Sequence, residues 1–597
     1  MLDKYAYFCV ISACAGAVFA GSPTVTISAG AIIGTTLSPL NQPTSTGHAN
    51  AYLGIPFAKS PPERFSPPEP PGSWENPLRA QELKPACIQQ ATGKTPTQDF
   101  LAEEWNIVKL HQSEDCLYLN VYAPEDASPS NKKAVLFWIH GGNLQIGSAS
   151  FPFYNGTSLA VNEDVVVVTI NYRLGVFGFS NSPEICKKKR NVGFLDQRFA
   201  LDWVRRNIEQ FGGDATRVTI FGESAGGYSV KQLVANPPTP QPFKAAIIQS
   251  QQVLLGRNGK ENYYKLLKAF NCGDLPCLRD VPAEDIKAYA RLKRLTFPPT
   301  SDDATSLTDV RDSFCDNNFA NVPIMLGTTK DEATIFVKQF FDLVKDPWAS
   351  EDLVFDFLGL SDERDRSSLK RAYQDAMKPS PFAKELSDLA PLERHDAVGL
   401  RTLSPSERLM QLVVQSEGMK HFEGRVYRKE EPPFGQRQVL DDLRRWKLAL
   451  LSRIVTDLVF NCPTASISSY ISDHGYNVWR YRYCAAFPNL TPFPNAGAWH
   501  GTEIPEVFGT YPLENDHGKA TEQQIRLSAH MQHIWAEFAK NPGRGPGWAK
   551  IQPNSSDRSL ADFGSNGSSK HAVVPWSSVD AACKLVGTYS DMLGFAW

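Results

Sequence analysis

After its first twenty residues the chain has no apolar run approaching the ~20 residues that cross a bilayer, so no membrane span is predicted. It also lacks an excess of either charge: a net charge of -3 leaves no electrostatic footprint for nucleic acid. The one basic run, Lys187 to Arg190, lies beside Pro183 and Asn191 and reads as a solvated loop. No Pro/Gly/Ser-rich linker, charge block or internal repeat divides the 597 residues, and strand and helix signals alternate along them. One large α/β domain with insertions, over residues 21–597, is therefore predicted in place of several smaller ones.

The opening stretch "MLDKYAYFCVISACAGAVFA" has a short polar start, an apolar segment too short to span, and small residues at Val18 and Ala20. That pattern predicts a secretory signal over residues 1–20, cleaved after Ala20. Of the 11 cysteines, Cys9 and Cys14 leave with it. An odd remainder implies at least one free thiol or an intermolecular bridge. The preferred pairs are Cys272 with Cys277, separated only by "GDLP", and Cys87 with Cys116. Closing the second loop stabilises by roughly 3 to 4 kcal/mol in the chain-entropy model. The sequence leaves the partners among Cys186, Cys315, Cys462, Cys484 and Cys583 open, with Cys462 and Cys484 as one candidate pair. Sequons at Asn155, Asn489, Asn554 and Asn566 are the expected glycan acceptors of a secreted chain.

The chemistry is carried by "FGGDATRVTIFGESAGGYS", Phe211 to Ser229. A bare Gly-x-Ser-x-Gly means little in a chain with 41 glycines, so its context decides. Val218 and Ile220 read as a short buried strand, and "AGGYSVKQLVAN" reads as a helix opening on small residues. Strand, sharp turn and helix make a nucleophile elbow, with Gly222 and Gly226 needed because side chains there would collide across the turn. Ser224 is then the candidate nucleophile, held in a strained backbone conformation.

A serine hydroxyl needs a base, a group that orients the base, and donors for the oxyanion. Upstream, "KAVLFWIHGGNLQIGS" predicts a strand running into a His-Gly-Gly turn of the kind that supplies backbone NH donors; Ala225, after the serine, supplies another. "DVVVVTI" predicts a parallel strand buried on both faces. Downstream, "VPIMLGTTKDEATIF" predicts a strand ending in a turn that bears Asp331 and Glu332, between which local physics does not choose. Eight histidines follow. His474 precedes its strand, His530 and His533 fall within an amphipathic helix, and His395 and His421 lie in charged segments with no strand leading in. His500, in "AGAWHGTEIPEVFG", follows the last strand through a loop and is the candidate base, with His517 the runner-up.

With these residues in place, the chain resembles the type-B carboxylesterase/lipase family, the cholinesterase-like branch of the α/β-hydrolases, and looks closest to its secreted fungal esterases. The resemblance runs from about Thr24 to Lys550. It rests on the serine signature above, on "EDCLYLNVYAP" from Glu114 to Pro124, and on "YLGIPFA", "TINYRLGVFGF" and "NVGFLDQRFALDWVRRNI". It implies an α/β-hydrolase fold with a mostly parallel sheet and a gorge, and a triad of Ser224, Glu332 and His500. It also implies oxyanion donors at Gly142, Asn143 and Ala225, and a Cys87 to Cys116 bridge beside the gorge. The chain departs from the pattern at Asn143, where the family usually has a third glycine, at Leu144, often phenylalanine, and at Ala333, often glycine. Any residue but proline still donates an NH at position 143.

The implied reaction is hydrolysis of a small-molecule or lipid ester through an acyl-enzyme, which requires no metal and no cofactor. A lipase, an acyltransferase using the same acyl-enzyme, and a non-enzymatic binding protein are the rivals; oligomeric state stays open. Phe100, Leu101, Trp105, Ile107, Val108 and Leu110, in the Cys87 to Cys116 loop, offer apolar surface to cap a gorge. Trp105, Leu144 and Glu223 are the expected gorge residues, and Glu223 is expected either to add negative potential there or to hold a salt bridge.

Overall fold

A valine-rich run is stable as a strand only where both its faces are covered, and Val166–Ile170 is buried at every position. It lies inside an 11-stranded sheet of the computed structural model. The structure describes residues 21–41, 47–89, 110–252, 258–302, 304–343, 347–358, 360, 362–376 and 434–584. The predicted signal over residues 1–20, Trp105 with most of the apolar cap, and His395 and His421 lie outside the described residues.

The main sheet comprises β1 (Thr35–Leu37), β2 (Ala49–Pro56), β3 (Tyr118–Pro124), β4 (Lys133–Ile139), β5 (Val166–Ile170), β6 (Gly213–Glu223), β7 (Ala245–Gln249), β8 (Ile324–Thr329), β9 (Val478–Tyr483), β10 (Ser559–Phe563) and β11 (His571–Pro575). Its order is β1-β2-β3-β5-β4-β6-β7-β8-β9-β10-β11. From β5 to β10 every neighbour pair is parallel, while β1 to β3 and the terminal β11 are antiparallel. The α/β-hydrolase architecture expected from the sequence is the one found.

Alternation along β4 shows how the sheet is covered. Val135, Phe137 and Ile139 enter one apolar cluster, with α1 (Val192–Asn207), α2 (Ala225–Ala235) and α5 (Cys462–Asp473). Ala134, Leu136 and Trp138 enter the cluster on the opposite face, with α6 (Ile504–Phe508) and α7 (Glu522–Lys540). A third cluster joins α3 (Thr334–Leu343) to α4 (Phe434–Val455). Between α4 and α5 the chain forms a π-turn, Thr456–Asn461. The 31 residues from Leu443 to Asp473 have the length and hydropathy to cross a membrane, a match the sequence reading did not find; most of that stretch is buried inside the fold, as a core helix is.

The structure forms Cys87–Cys116 and Cys272–Cys277, and in place of the Cys462–Cys484 candidate it bonds Cys462 to Cys583. Cys484 instead donates its thiol to Asp562 Oδ1 at 3.0 Å. Cys186, Cys315 and Cys484 are free thiols. A second correction concerns the sequons. Asn489 has no exposed surface and its amide donates to the Pro512 carbonyl at 2.6 Å, so the folded chain presents no acceptor there. Asn554 and Asn566 are exposed and Asn155 is half-buried.

The contact of α6 with α7 holds a titratable group. Glu506 is fully buried and accepts from the Gln524 amide at 2.8 Å, while its Oε2 and Gln524 Oε1 have no partner among the described residues. Burial pushes the Glu506 carboxyl up to about 8, against the lowering effect of the Gln524 hydrogen bond. A folded-state pKa raised above the unfolded value favours folding at low pH and loses that contribution as pH climbs from about 4.5 through about 8. Glu506→Gln, which cannot ionise, is expected to resist unfolding at pH ~9 better than the wild type by ~2 kcal/mol or more, with the gap closing below pH ~5. Urea midpoints at the two pH values check this, and an equal gap at both would count against it.

Candidate active site

The turn between β6 and α2 shows why its glycines are there. A Cβ on Gly222 would lie 2.6 Å from the Ile139 carbonyl oxygen, and one on Gly226 would overlap that same oxygen. Ser224 sits between them at φ 57° and ψ -121°, outside the regions L-residues normally occupy. The conformation is held by its NH donating to Gln249 O at 2.9 Å and by its carbonyl accepting from Tyr228 NH at 2.8 Å. The NH of Ala225 opens α2 and has no acceptor within the helix.

The His-Gly-Gly turn after β4 packs directly against the elbow: a Cβ on Gly141 would lie 3.0 Å from Ser224 Cβ. Gly142, Asn143 and Leu144 all take positive φ, at 102°, 57° and 57°. The Gly142 carbonyl accepts from the NH groups of Gln145 and Ile146, both at 3.0 Å, which closes the turn. Buried His140 braces it, with Nδ1 2.8 Å from Gly141 O and its ring stacked on Tyr172 at 4.4 Å. Burial lowers the His140 pKa to about 4, so the ring is neutral. Gln89, two residues past Cys87, exchanges two 2.9 Å hydrogen bonds with Gly147 and so ties the turn to the disulfide loop. Leu144 packs into the core with no exposed surface, which corrects its placement as a gorge-wall residue.

The turn after β8 separates the two acids. Asp331 is spent on structure, its Oδ2 accepting from Ala498 NH at 3.0 Å. Glu332 is fully buried: Oε1 accepts from Ser250 Oγ at 2.6 Å and Thr329 NH at 2.8 Å, and Oε2 lies 2.6 Å from His500 Nδ1. Ser250, at the end of "IIQS", was not singled out from the sequence, although its place one residue past β7 puts it at the same sheet edge. His517 is exposed on a hairpin between Glu514–Asn515 and Gly518–Lys519.

His500 Nε2 lies 3.1 Å from Glu223 Oε1 and makes no hydrogen bond to Ser224 Oγ in this structure. Glu223 is 2% exposed, so it belongs to the buried cluster beneath the serine. Burial disfavours charge on His500, but the carboxylates of Glu223 and Glu332 outweigh it and lift its pKa above the ordinary imidazole value. Burial raises Glu223 and Glu503 as well. Glu503, three residues past His500, accepts from Gln249 Nε2 at 3.1 Å. Among the described residues no group of three or more His, Cys, Asp or Glu is placed to hold a metal. What the arrangement offers is a serine at a helix head, a glycine turn packed against it, and an imidazole fixed at Nδ1 by a carboxylate.

Comparison with known proteins places this chain among similar sequences. A carboxylesterase family model matches residues 21–392 and 415–581. The para-nitrobenzyl esterase of Bacillus subtilis (strain 168) is 31% identical over 515 residues, covering 83% of this chain and 87% of that protein. The acetylcholinesterase of Bungarus fasciatus is 30% identical over 572 residues (89% and 82%), and carboxylesterase 1C of Rattus norvegicus is 30% identical over 550 residues (88% of each).

Proposed function

The chain belongs to the carboxylesterase family and is a carboxylic ester hydrolase, and from that premise we propose that it works through an acyl-enzyme on Ser224. Ser224 Oγ attacks the ester carbonyl as His500 Nε2, turned from Glu223 toward the serine, takes its proton. Glu332 holds the imidazole in the Nδ1–H tautomer and stabilises the imidazolium. The NH groups of Gly142, Asn143 and Ala225 receive the oxyanion; the protonated His500 then releases the alcohol, and water repeats the cycle on the acyl-enzyme. The single observation that carries this reading is the 2.6 Å His500 to Glu332 contact, itself fixed by Ser250 and Thr329.

The substrates proposed are small-molecule esters of short to medium acyl chains; hydrolysis of longer acylglycerols and acyl transfer to an alcohol are the alternatives. Chain-length profiling with p-nitrophenyl esters, with and without emulsified triglyceride, separates the first two, and product analysis with an acceptor alcohol tests the third. Residues 1–20 are proposed as a secretory signal and 21–597 as one domain. The three disulfides support an oxidising compartment, with glycans proposed at Asn155, Asn554 and Asn566. A fluorophosphonate probe is expected to label the protein once per chain, on the peptide carrying Ser224. Stoichiometric labelling elsewhere would sink the assignment.

A further inference from the structure

The π-turn Thr456–Asn461 is tied to the serine elbow through Gln252, to the acid turn through Ala333, and to the imidazole through Phe460. Pro463 follows it and has no NH, so it cannot donate to the carbonyl four residues back, that of Val459. That carbonyl instead accepts from Gln252 Nε2 at 3.0 Å, and the Gln252 NH in turn donates to Ser224 O at 3.3 Å. Thr456 Oγ1 accepts from Ala333 NH at 3.0 Å, next to Glu332. Buried Asp457 pins the turn by accepting from Arg453 at 2.8 Å and from Asn461 and Tyr373, both at 3.1 Å. One helical irregularity is thus bonded to the serine elbow and to the acid turn. Such irregularities concentrate at functional sites.

The same turn carries Phe460, 1% exposed, to the imidazole. Its ring centroid is 4.9 Å from that of His500, with 51° between the planes; Phe336, from α3, is at 5.0 Å and 54°. The two phenyl rings are parallel to within 3° and 6.0 Å apart, so the imidazole rests in a notch formed by both. Each ring lies within the ~6 Å at which an aromatic π-system attracts a cation, in a site with little water to screen it. We propose that Phe460, delivered by the π-turn, is a positioning residue for His500: the notch fixes the imidazole ring and stabilises it when it carries the serine proton. This inference rests on the reading of His500 as the base.

The test compares Phe460→Leu, Phe460→Tyr and Phe355→Leu with the wild type, rates being normalised to fluorophosphonate-labelled sites so that misfolded protein does not count. Phe355 is a buried ring of the same apolar cluster and serves as the packing control. Phe460→Leu is expected to lower kcat about ten-fold. It should also move the acid-side midpoint of the kcat/KM profile down by about one pH unit, because the imidazolium loses its aromatic partner. Phe460→Tyr should restore both, and Phe355→Leu should leave the midpoint in place. A lower kcat with an unmoved midpoint would make Phe460 ordinary packing and overturn the inference, as would an unchanged kcat or an equal shift in Phe355→Leu. In any of those cases a labelled wild type leaves the acyl-enzyme reading standing; a wild type that takes no label overturns both.

Discussion

Ser224→Ala is expected to lose at least ~10⁴-fold in kcat on a p-nitrophenyl ester while KM changes little, since the hydroxyl forms and breaks the only covalent bond to substrate. Residual turnover should come from the oxyanion NH groups alone, ~10³-fold over water. The position offers a second reading of the same mutation. At φ 57° and ψ -121° the serine is strained, and glycine occupies positive φ at little cost. Ser224→Gly should therefore be as inactive as Ser224→Ala yet more stable than wild type, by ~1 to 2 kcal/mol. Thermal unfolding and steady-state kinetics on the pair check both halves. Retained turnover in either variant would show that another group carries the acyl chain.

Glu332→Gln should cost ~10⁴-fold in kcat with little change in fold, and the reason lies in the donors around it. Thr329 NH can only donate, so a glutamine must present its carbonyl oxygen to Thr329 and Ser250. Its NH₂ then faces His500 Nδ1, which must become an acceptor, leaving the proton on Nε2 where the serine proton has to go. Glu332→Asp keeps the charge but shortens the reach across the 2.6 Å contact, and should fall between the two. Kinetics and the pH profile of kcat/KM distinguish them: Glu332→Gln should also lower the acid-side midpoint, because a carboxylate that raises the His500 pKa is gone. A glutamine variant within ten-fold of wild type would remove Glu332 from the proton relay.

The parts of the site legible in the sequence are those whose signal is local. Gly222 and Gly226 at fixed offsets from Ser224, a β-branched strand before it and a small-residue helix after it define the elbow without long-range information. The Glu332 to His500 contact spans 168 positions and was reached by chain order, strand placement and the family resemblance. Asp331 and Glu332 share one turn, so only the tertiary partner, Ala498 for one and His500 for the other, separates them. Phe460 was illegible because an α-helical period assigns it a different direction from the one the π-turn imposes; the Cys462–Pro463 pair was the available clue. Leu144 was misread as a wall because its positive φ turns it into the core, a reversal that sequence spacing does not reveal. Cysteine pairing is tertiary from the start, and Cys484 was excluded by a carboxylate neighbour, Asp562, 78 residues away.

The Cys462–Cys583 bridge bears on how the wall behind the imidazole is held. It ties the first residue of α5, two positions past Phe460, to a segment 121 residues further on, where Asp580 also pairs with buried Arg480. The serine elbow and the acid turn are closed by hydrogen bonds of their own. The aromatic buttress of the base thus depends on a covalent anchor remote in sequence from both the nucleophile and the acid.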